Sequence, residues 1–322
     1  MKATRCFITG GAGFIGSHLV DRLLAEGNDV TVFDNLSSGK EDFITAHKEN
    51  PRFRFIVGEL LDLDTLLAVN KDHETVFHLA ANPDARRGIT DTALDLRLET
   101  LVTYNVLESM RRNGIKKLVF PSSGTIYGET PSVSIAEDYG PVLPISLYGA
   151  GKLASEGLIS AFCHTFDIQA WIFRLANIVG RRATHGVIFD FTRSLEKNPE
   201  ELQILGDGTQ CKPYLHVSEC IDGMLYGLRN APDRLNVYNL GTSTVTDVNT
   251  IARTIVAELG RNGVSFRYTG GDRGWPGDVP QFRYDISKMK RLGWKARLTS
   301  DEAVRKAVKE IINDSKYAQV KK

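Results

Sequence analysis

No apolar run in this 322-residue sequence approaches the roughly 18 residues a helix needs to cross a bilayer, which excludes a helical membrane span. Cysteine is scarce: four residues, Cys6, Cys163, Cys211 and Cys220, none at CxxC spacing. That pattern argues against a disulfide framework or a cysteine zinc site and favours a reducing compartment. The seven histidines form no ligand-spaced cluster, so metal catalysis has no support. There is no GxSxG elbow and hence no hydrolase of that type. Neither sign of charge dominates: 40 Lys and Arg face 39 Asp and Glu, a net charge of +1. The broad basic surface that binds nucleic acid or anionic membrane is therefore missing. Internal repeats and low-complexity tracts are missing too. The first apolar run begins within a few residues of Met1, leaving no room for a leader peptide, and the expected location is the cytoplasm.

What is present is an ordinary globular composition, 42% hydrophobic and 25% charged, long enough for one large or two closely packed domains. Arg5 to Thr9 is an apolar run ending in glycines, a buried strand. Ser17 to Glu26 places Leu19, Val20, Leu23 and Leu24 on one face, a helix stopped by Gly27. Further short strands are expected at Val30 to Phe33, Phe53 to Val57, Thr75 to Leu79, Leu118 to Pro121 and Ala170 to Leu175. Helices are expected between them at Asp62 to Val69, Thr90 to Arg112 and Leu147 to Phe166. This alternation predicts an α/β fold, a Rossmann-type doubly wound parallel sheet with a smaller, discontinuous substrate-binding domain. The expected division is 1–176, plus a returning segment near 217–247, for the sheet domain. Residues 177–216 and 248–312 form the second domain, and 313–322, with Lys316, Lys321 and Lys322, a frayed tail.

The glycines after the first strand follow GxxGxxG spacing. Gly10 permits the turn out of the strand, Gly13 lets backbone approach a pyrophosphate, and Gly16 lets the helix lie close to the strand. The helix N-terminus, with Phe14 and Ile15, then offers free N–H groups to phosphates. Asp34 closes the second strand, placed to accept hydrogen bonds from an adenosine ribose and to repel a 2′-phosphate. The cofactor read from this loop is NAD rather than NADP.

Tyr-x-x-x-Lys occurs three times: Tyr148/Lys152, Tyr284/Lys288 and Tyr317/Lys321. Only Tyr148 opens a helix directly downstream of a strand ending in Ser122-Ser123, where an open α/β sheet binds its ligands. Residues i and i+4 share a helix face, so Lys152 can sit beneath Tyr148. An ammonium there, together with the positive charge of an oxidised nicotinamide, is expected to lower the phenol pKa, so that Tyr148 removes a hydroxyl proton while hydride leaves the same carbon. Ser123 is expected to orient the reacting oxygen.

Read in order, GGAGFIGSHLVDRLL, VFDNLSSG, VFHLAAN, VFPSSGTIYGE, YGAGK, FRLANIVG, GDGTQCKPYLHV and GDRGWPGDVP span nearly the whole chain. They resemble the extended short-chain dehydrogenase/reductase family, specifically its nucleotide-sugar epimerases of the UDP-glucose 4-epimerase type. The resemblance implies a 4-epimerase with tightly bound NAD, a UDP-sugar substrate, and a homodimer formed by the helical stretches 90–112 and 147–166. Related dehydratases and decarboxylases carry carboxylates before the Tyr-Gly pair, where this chain has Thr125-Ile126. By position, Asn35, Ser37, Glu59, Leu60, Leu79, Ala80 and Ala81 are implied to line the cofactor. Thr125, Asn177 (at the diphosphate), Val187, Lys212, Tyr214, Arg273 and Asp278 are implied to bind substrate.

The chain also departs from that pattern. Glu59 replaces an Asp, Lys212 an Arg, and Trp275 a diphosphate-binding Arg whose charge role Arg273 can take. Glu99 replaces an Asn near the cofactor, either pointing away or pairing with a cation such as Arg97 or Arg86. Phe282 argues for a plain hexose. The group Arg86, Arg87, Arg181, Arg182, His185 and Arg193 could instead hold a uronic-acid carboxylate, and an N-acetylhexosamine is a third possibility. A net dehydrogenase or reductase of the same fold and a non-catalytic NAD-binding sensor are the readings from other classes.

Overall fold

Short runs of β-branched and aromatic residues separated by amphipathic helices produce a central sheet in the computed structural model, which describes residues 3–130 and 134–320. Seven strands form it: β1 (Arg5–Thr9), β2 (Asp29–Asp34), β3 (Phe53–Val57), β4 (Thr75–His78), β5 (Lys117–Ser123), β6 (Gln169–Leu175) and β7 (Leu235–Leu240). Their order is β7-β6-β5-β4-β1-β2-β3. Pairing is parallel between β1 and β2, β1 and β4, β2 and β3, and β4 and β5. Chain order reverses between β1 and β4, and that crevice is where such sheets bind ligands.

The helices begin and end for local reasons. α1 (Phe14–Ala25) starts three residues earlier than its apolar stripe suggests, because Gly13 is extended and serves as N-cap. α2 (Leu63–Val69) is capped by Asp62, whose carboxylate accepts from Thr65 N. α3 (Val102–Asn113) ends at left-handed Gly114. α4 (Leu147–Phe166) has the expected limits. The continuous helix expected over Thr90 to Arg112 is not formed. A 3₁₀ turn at Ala85–Ile89 and a π-helical segment at Leu96–Leu101 precede α3 instead. Periodicity sees apolar spacing, but a wider turn is decided by what packs against it.

Clustering of contacts divides the chain into two units: Met1–Ile126, Leu147–Arg174 and Met224–Tyr238 in the first, and Tyr127–Ser146, Leu175–Gly223 and Asn239–Lys322 in the second. The first buries Phe7, Phe33, Val76, Leu118 and Ile172 of the sheet against Val106, Leu107 and Met110 of α3 and Ile159 of α4. The second packs α5 (Val187–Lys197), α7 (Val248–Glu258) and α9 (Ser300–Val320) around Leu195, Ile204, Ile251, Ile255, Val304 and Val308. Between them in sequence run α6 (Val217–Asn230) and α8 (Ser287–Leu292). Two expected limits change. Tyr127–Ser146 leaves the sheet unit because the strand Ser134–Ile135 pairs with Arg283–Tyr284. The returning segment narrows to Met224–Tyr238. Backbone expected to fray from 313 continues as helix to Val320, while Lys321 and Lys322 lie outside the described residues.

Candidate functional site

In the first unit the glycine loop leaves β1 beside the exit of β4. Gly10, at φ 69°, has no room for a side chain: a Cβ there would lie 2.6 Å from Ala80 N. At Gly16 it would lie 2.2 Å from Gly10 O, and at Gly13 3.1 Å from the same oxygen. Helix α1 has no side-chain cap and no acidic residue in its first turn, so Phe14 and Ile15 open a bare, positive helix end. Leu79 N donates to Thr9 O at 3.1 Å and Ala80 N to Thr9 Oγ1 at 3.3 Å, which holds Leu79, Ala80 and Ala81 against the loop.

Asp34 is buried at the end of β2. Its Oδ2 accepts from Ala12 N at 2.9 Å and its Oδ1 from Leu36 N at 2.9 Å. The carboxylate thus fixes the glycine loop, and each oxygen keeps a lone pair for a ribose hydroxyl. Burial raises its pKa. Asn35 Nδ2 donates to both oxygens of Glu59, at 3.0 and 3.1 Å, and Asn35 Oδ1 accepts from Ser37 N at 2.9 Å. Leu60 follows Glu59, its carbonyl accepting from Asn105 at 2.8 Å. The expected adenosine-side residues therefore form one connected rim. A bare helix end, glycines without room for Cβ and a buried acid at the ribose position fit a dinucleotide.

Ser123, Thr125, Tyr148 and Lys152 also meet in this unit. Thr125 N and Oγ1 donate to Ser123 Oγ at 3.2 and 3.0 Å, and Ser123 and Tyr148 share a side-chain hydrogen bond. Lys152 is 3% exposed; its Nζ donates to Pro121 O at 3.1 Å and lies 5.8 Å from the Tyr148 ring centroid. The protein's own groups hold the Tyr148 phenol above its usual pKa: desolvation dominates, and the carboxylates of Glu99 and Asp95 add to it. Glu99 does pair with a cation, but with Lys152 rather than the suggested Arg97 or Arg86, which are bound to Asp91 and Asp84. Its Oε2 lies 3.0 Å from Lys152 Nζ, with Glu99 only 1% exposed.

The second unit holds the remaining residues. Asn177 and Tyr214 are register partners in a parallel pair of short strands and share a side-chain hydrogen bond. Tyr214 is buried, which raises its phenol pKa. Val187 is the first residue of α5, after left-handed Gly186. Lys212 is bound to Asp278, whose other oxygen accepts from Gly274 N at 3.1 Å. Arg273 pairs with Glu129 and donates to Asp278 O at 3.4 Å. Lys212, Arg273 and Asp278 therefore form one linked group. Three of the five arginines suggested for a uronic acid are engaged locally: Arg86 with Asp84, Arg181 with Asp314, Arg193 with Glu196. Phe282 packs edge-on against Tyr284 at 5.3 Å, and the Tyr284 hydroxyl donates to Leu175 O at 2.9 Å, a structural role for that Tyr-x-x-x-Lys copy. The third copy, Tyr317/Lys321, has Lys321 outside the described residues.

A parallel sheet with reversed strand order, a glycine-rich turn at the reversal and a Tyr148–Lys152 pair beside it, its lysine buried, define a dinucleotide-dependent α/β enzyme. The chain belongs to the NAD dependent epimerase/dehydratase family, whose profile matches residues 6–241. A UDP-glucose 4-epimerase from Mycolicibacterium smegmatis is 31% identical over 320 residues, covering 97% of this chain and 99% of that protein. A solved UDP-galactose 4-epimerase is 35% identical with a TM-score of 0.87, covering 96% of this chain and 99% of that one. The UDP-N-acetylglucosamine 4-epimerase from Methanobrevibacter ruminantium, solved with UDP-N-acetylmuramic acid, is 29% identical with a TM-score of 0.86, covering 98% and 100%.

Sequence reading missed three members of the first unit's polar cluster. Asn82 N donates to Glu99 Oε1 at 2.8 Å, and Asn82 Nδ2 to Asp95 Oδ1 at 2.8 Å. Gly151 faces Glu99 with no room for a Cβ, which would sit 2.9 Å from Glu99 Cβ. The only sequence signal was Glu99 itself, a carboxylate where the family has an amide.

Proposed function

We propose that this chain is a UDP-glucose/UDP-galactose 4-epimerase with tightly bound NAD. The observation that carries the reading is the Ser123–Tyr148–Lys152 group beside the glycine loop, with Thr125 rather than a carboxylate next to Ser123. NAD, when bound, supplies the hydride acceptor and donor. As the phenolate, Tyr148 takes the proton of the C4 hydroxyl during oxidation, and as the phenol it returns that proton during reduction of the 4-keto sugar. Ser123 orients the oxygen at C4 by hydrogen bonding. Lys152 holds the phenol's electrostatic environment, and Gly10, Gly13, Phe14, Ile15, Gly16 and Asp34 hold the dinucleotide. Asn177, Val187, Lys212, Tyr214, Arg273 and Asp278 bind the UDP portion, and Thr125 the sugar. Thr125-Ile126 supplies no carboxylate at the place where related dehydratases carry the pair that eliminates water.

A plain hexose is favoured over a uronic acid by the bulk of Phe282 and by the pairing of three of the five candidate arginines, Arg86, Arg181 and Arg193, with neighbouring carboxylates. The same proposal includes a homodimer and a cytoplasmic location, the four unpaired cysteines suiting a reducing compartment. The test is NMR of the purified protein with UDP-galactose, UDP-glucuronate and UDP-N-acetylglucosamine in separate tubes without added cofactor. Interconversion of UDP-galactose and UDP-glucose is expected. Conversion of only another sugar would overturn the substrate assignment, and net NADH formation would overturn the epimerase.

A further inference from the structure

We propose that Glu99 is a positioning residue for the tyrosine–lysine pair. Its carboxylate clamps the Lys152 ammonium and offsets that charge at Tyr148, so that Glu99 sets the pH at which the phenol gives up its proton. The clamp is built from several elements. The π-helical segment Leu96–Leu101 carries Glu99, and such wider turns occur often at functional sites. The widened backbone is held by hydroxyls: Thr103 Oγ1 donates to Glu99 O at 2.5 Å and Ser155 Oγ at 3.0 Å. Gly151 on α4 leaves the space that Glu99 Cβ approaches. Asn82, in the loop after β4, donates its backbone N–H to Glu99 Oε1 at 2.8 Å, leaving Oε2 toward Lys152 Nζ at 3.0 Å. Lys152 is thereby fixed between Glu99 and Pro121 O.

The charged and titratable groups around this pair come from every packed element. Tyr148 and Lys152 lie on α4. Asp95 precedes the π segment with Oδ2 buried and unpartnered. Asp91 and Arg87 act on Asp95. His78 on β4 is kept neutral, its pKa pushed down to about 3 by burial and by Lys152. Burial, with Asp95 adding to it, lifts the Glu99 carboxyl to about 7 against the pull of Lys152. Glu99 thus changes charge where an enzyme works. Ionised, it cancels the ammonium and keeps the phenol protonated; neutral, it leaves the ammonium's field on the phenol uncompensated.

The ion pair can be judged apart from activity; the effect on the phenol rests on the proton-transfer role proposed above. Side-chain carboxyl ¹³C NMR of the purified holoprotein should show one glutamate titrating near 7. Glu99→Gln should remove that signal, and Lys152→Met should raise its midpoint by about one pH unit or more. An unmoved midpoint in Lys152→Met, or no Glu99 titration in the neutral range, overturns the clamp. With UDP-galactose, the rising limb of kcat/KM against pH should move to lower pH by about one unit in Glu99→Gln, and Glu99→Asp should restore it toward wild type. A uniform loss of rate with an unmoved limb would mean a structural role only and overturns the proposal. If the wild type turns over no UDP-sugar, the epimerase reading falls while the carboxyl titration still decides the clamp.

Discussion

At the scale of single residues, the proposed reaction depends on one phenol, Tyr148, whose surroundings oppose its ionisation. General acid–base groups contribute about 10²–10⁴-fold to rate. Tyr148→Phe should lose turnover by that order while purifying with its NAD, read by absorbance of the cofactor released on denaturation. Undiminished turnover would remove Tyr148 from the mechanism. Residues also set how stability responds to pH. Glu99 has a folded pKa of about 7 against its usual 4.5, so the folded state binds that proton more tightly. Its contribution is present at low pH and is lost as pH rises from 4.5 to 7. Glu108 has the opposite sign: hydrogen bonds from Arg111 and Arg112 hold it down to about 2, so its contribution disappears as pH falls below 4.5. Urea unfolding across this range should show a shallower decline between 4.5 and 7 in Glu99→Gln than in wild type. Identical curves would contradict the raised pKa.

At the scale of elements, the most consequential contacts join helices to strands. Glu156 on α4 and Arg174 on β6 form a buried ion pair with Nη2–Oε2 at 2.8 Å and Nε–Oε1 at 3.1 Å. Removing one partner from such a pair costs about 3–5 kcal/mol because the other charge stays buried. Glu156→Gln should therefore lower the unfolding free energy by several kcal/mol, measurable by urea titration, with little change in NAD affinity once folded. The α1–β1 junction has a different sensitivity. A Cβ on Gly16 would lie 2.2 Å from Gly10 O and 2.8 Å from Gly11 Cα, both backbone atoms that cannot swing away. Gly16→Ala should cost about 1–3 kcal/mol by overpacking and weaken NAD binding, measured by equilibrium dialysis. Element limits were legible where a cap or a glycine marks them, as at Asp62, Gly114 and the whole of α4. They were illegible at Leu96–Leu101, because the apolar spacing there suits a regular helix. The π-turn is received by Gly151 and Ser155, distant in sequence, and Thr103 in the following turn bonds the Glu99 carbonyl.

At the scale of the whole molecule, the first unit presents apolar side chains to solvent along the π segment, α3 and α4. Leu96 is 54% exposed, Leu101 44%, Tyr104 42% and Phe166 38%. A second copy covering this face would give the proposed homodimer. Light scattering after size exclusion should return twice the 35.7 kDa chain mass, and Leu101→Glu with Tyr104→Glu should return the single mass. A monomeric wild type would refute the assembly.

The sequence by itself determined the alternating strands and helices, the glycine-rich turn, the acid at the end of β2 and the Tyr148/Lys152 pair. These are local patterns: hydrophobic period, glycine spacing and i,i+4 geometry are written within a few neighbouring residues. Only the tertiary structure decided the partner of Glu99, the linkage of Lys212 and Arg273 to Asp278, and the transfer of Tyr127–Ser146 to the second unit. Each of these joins residues far apart along the chain. Burial then sets their charge states: the same low-dielectric packing that brings Lys152 and Glu99 together lifts the Glu99 carboxyl and holds the Tyr148 phenol up, reversing what spacing alone implied.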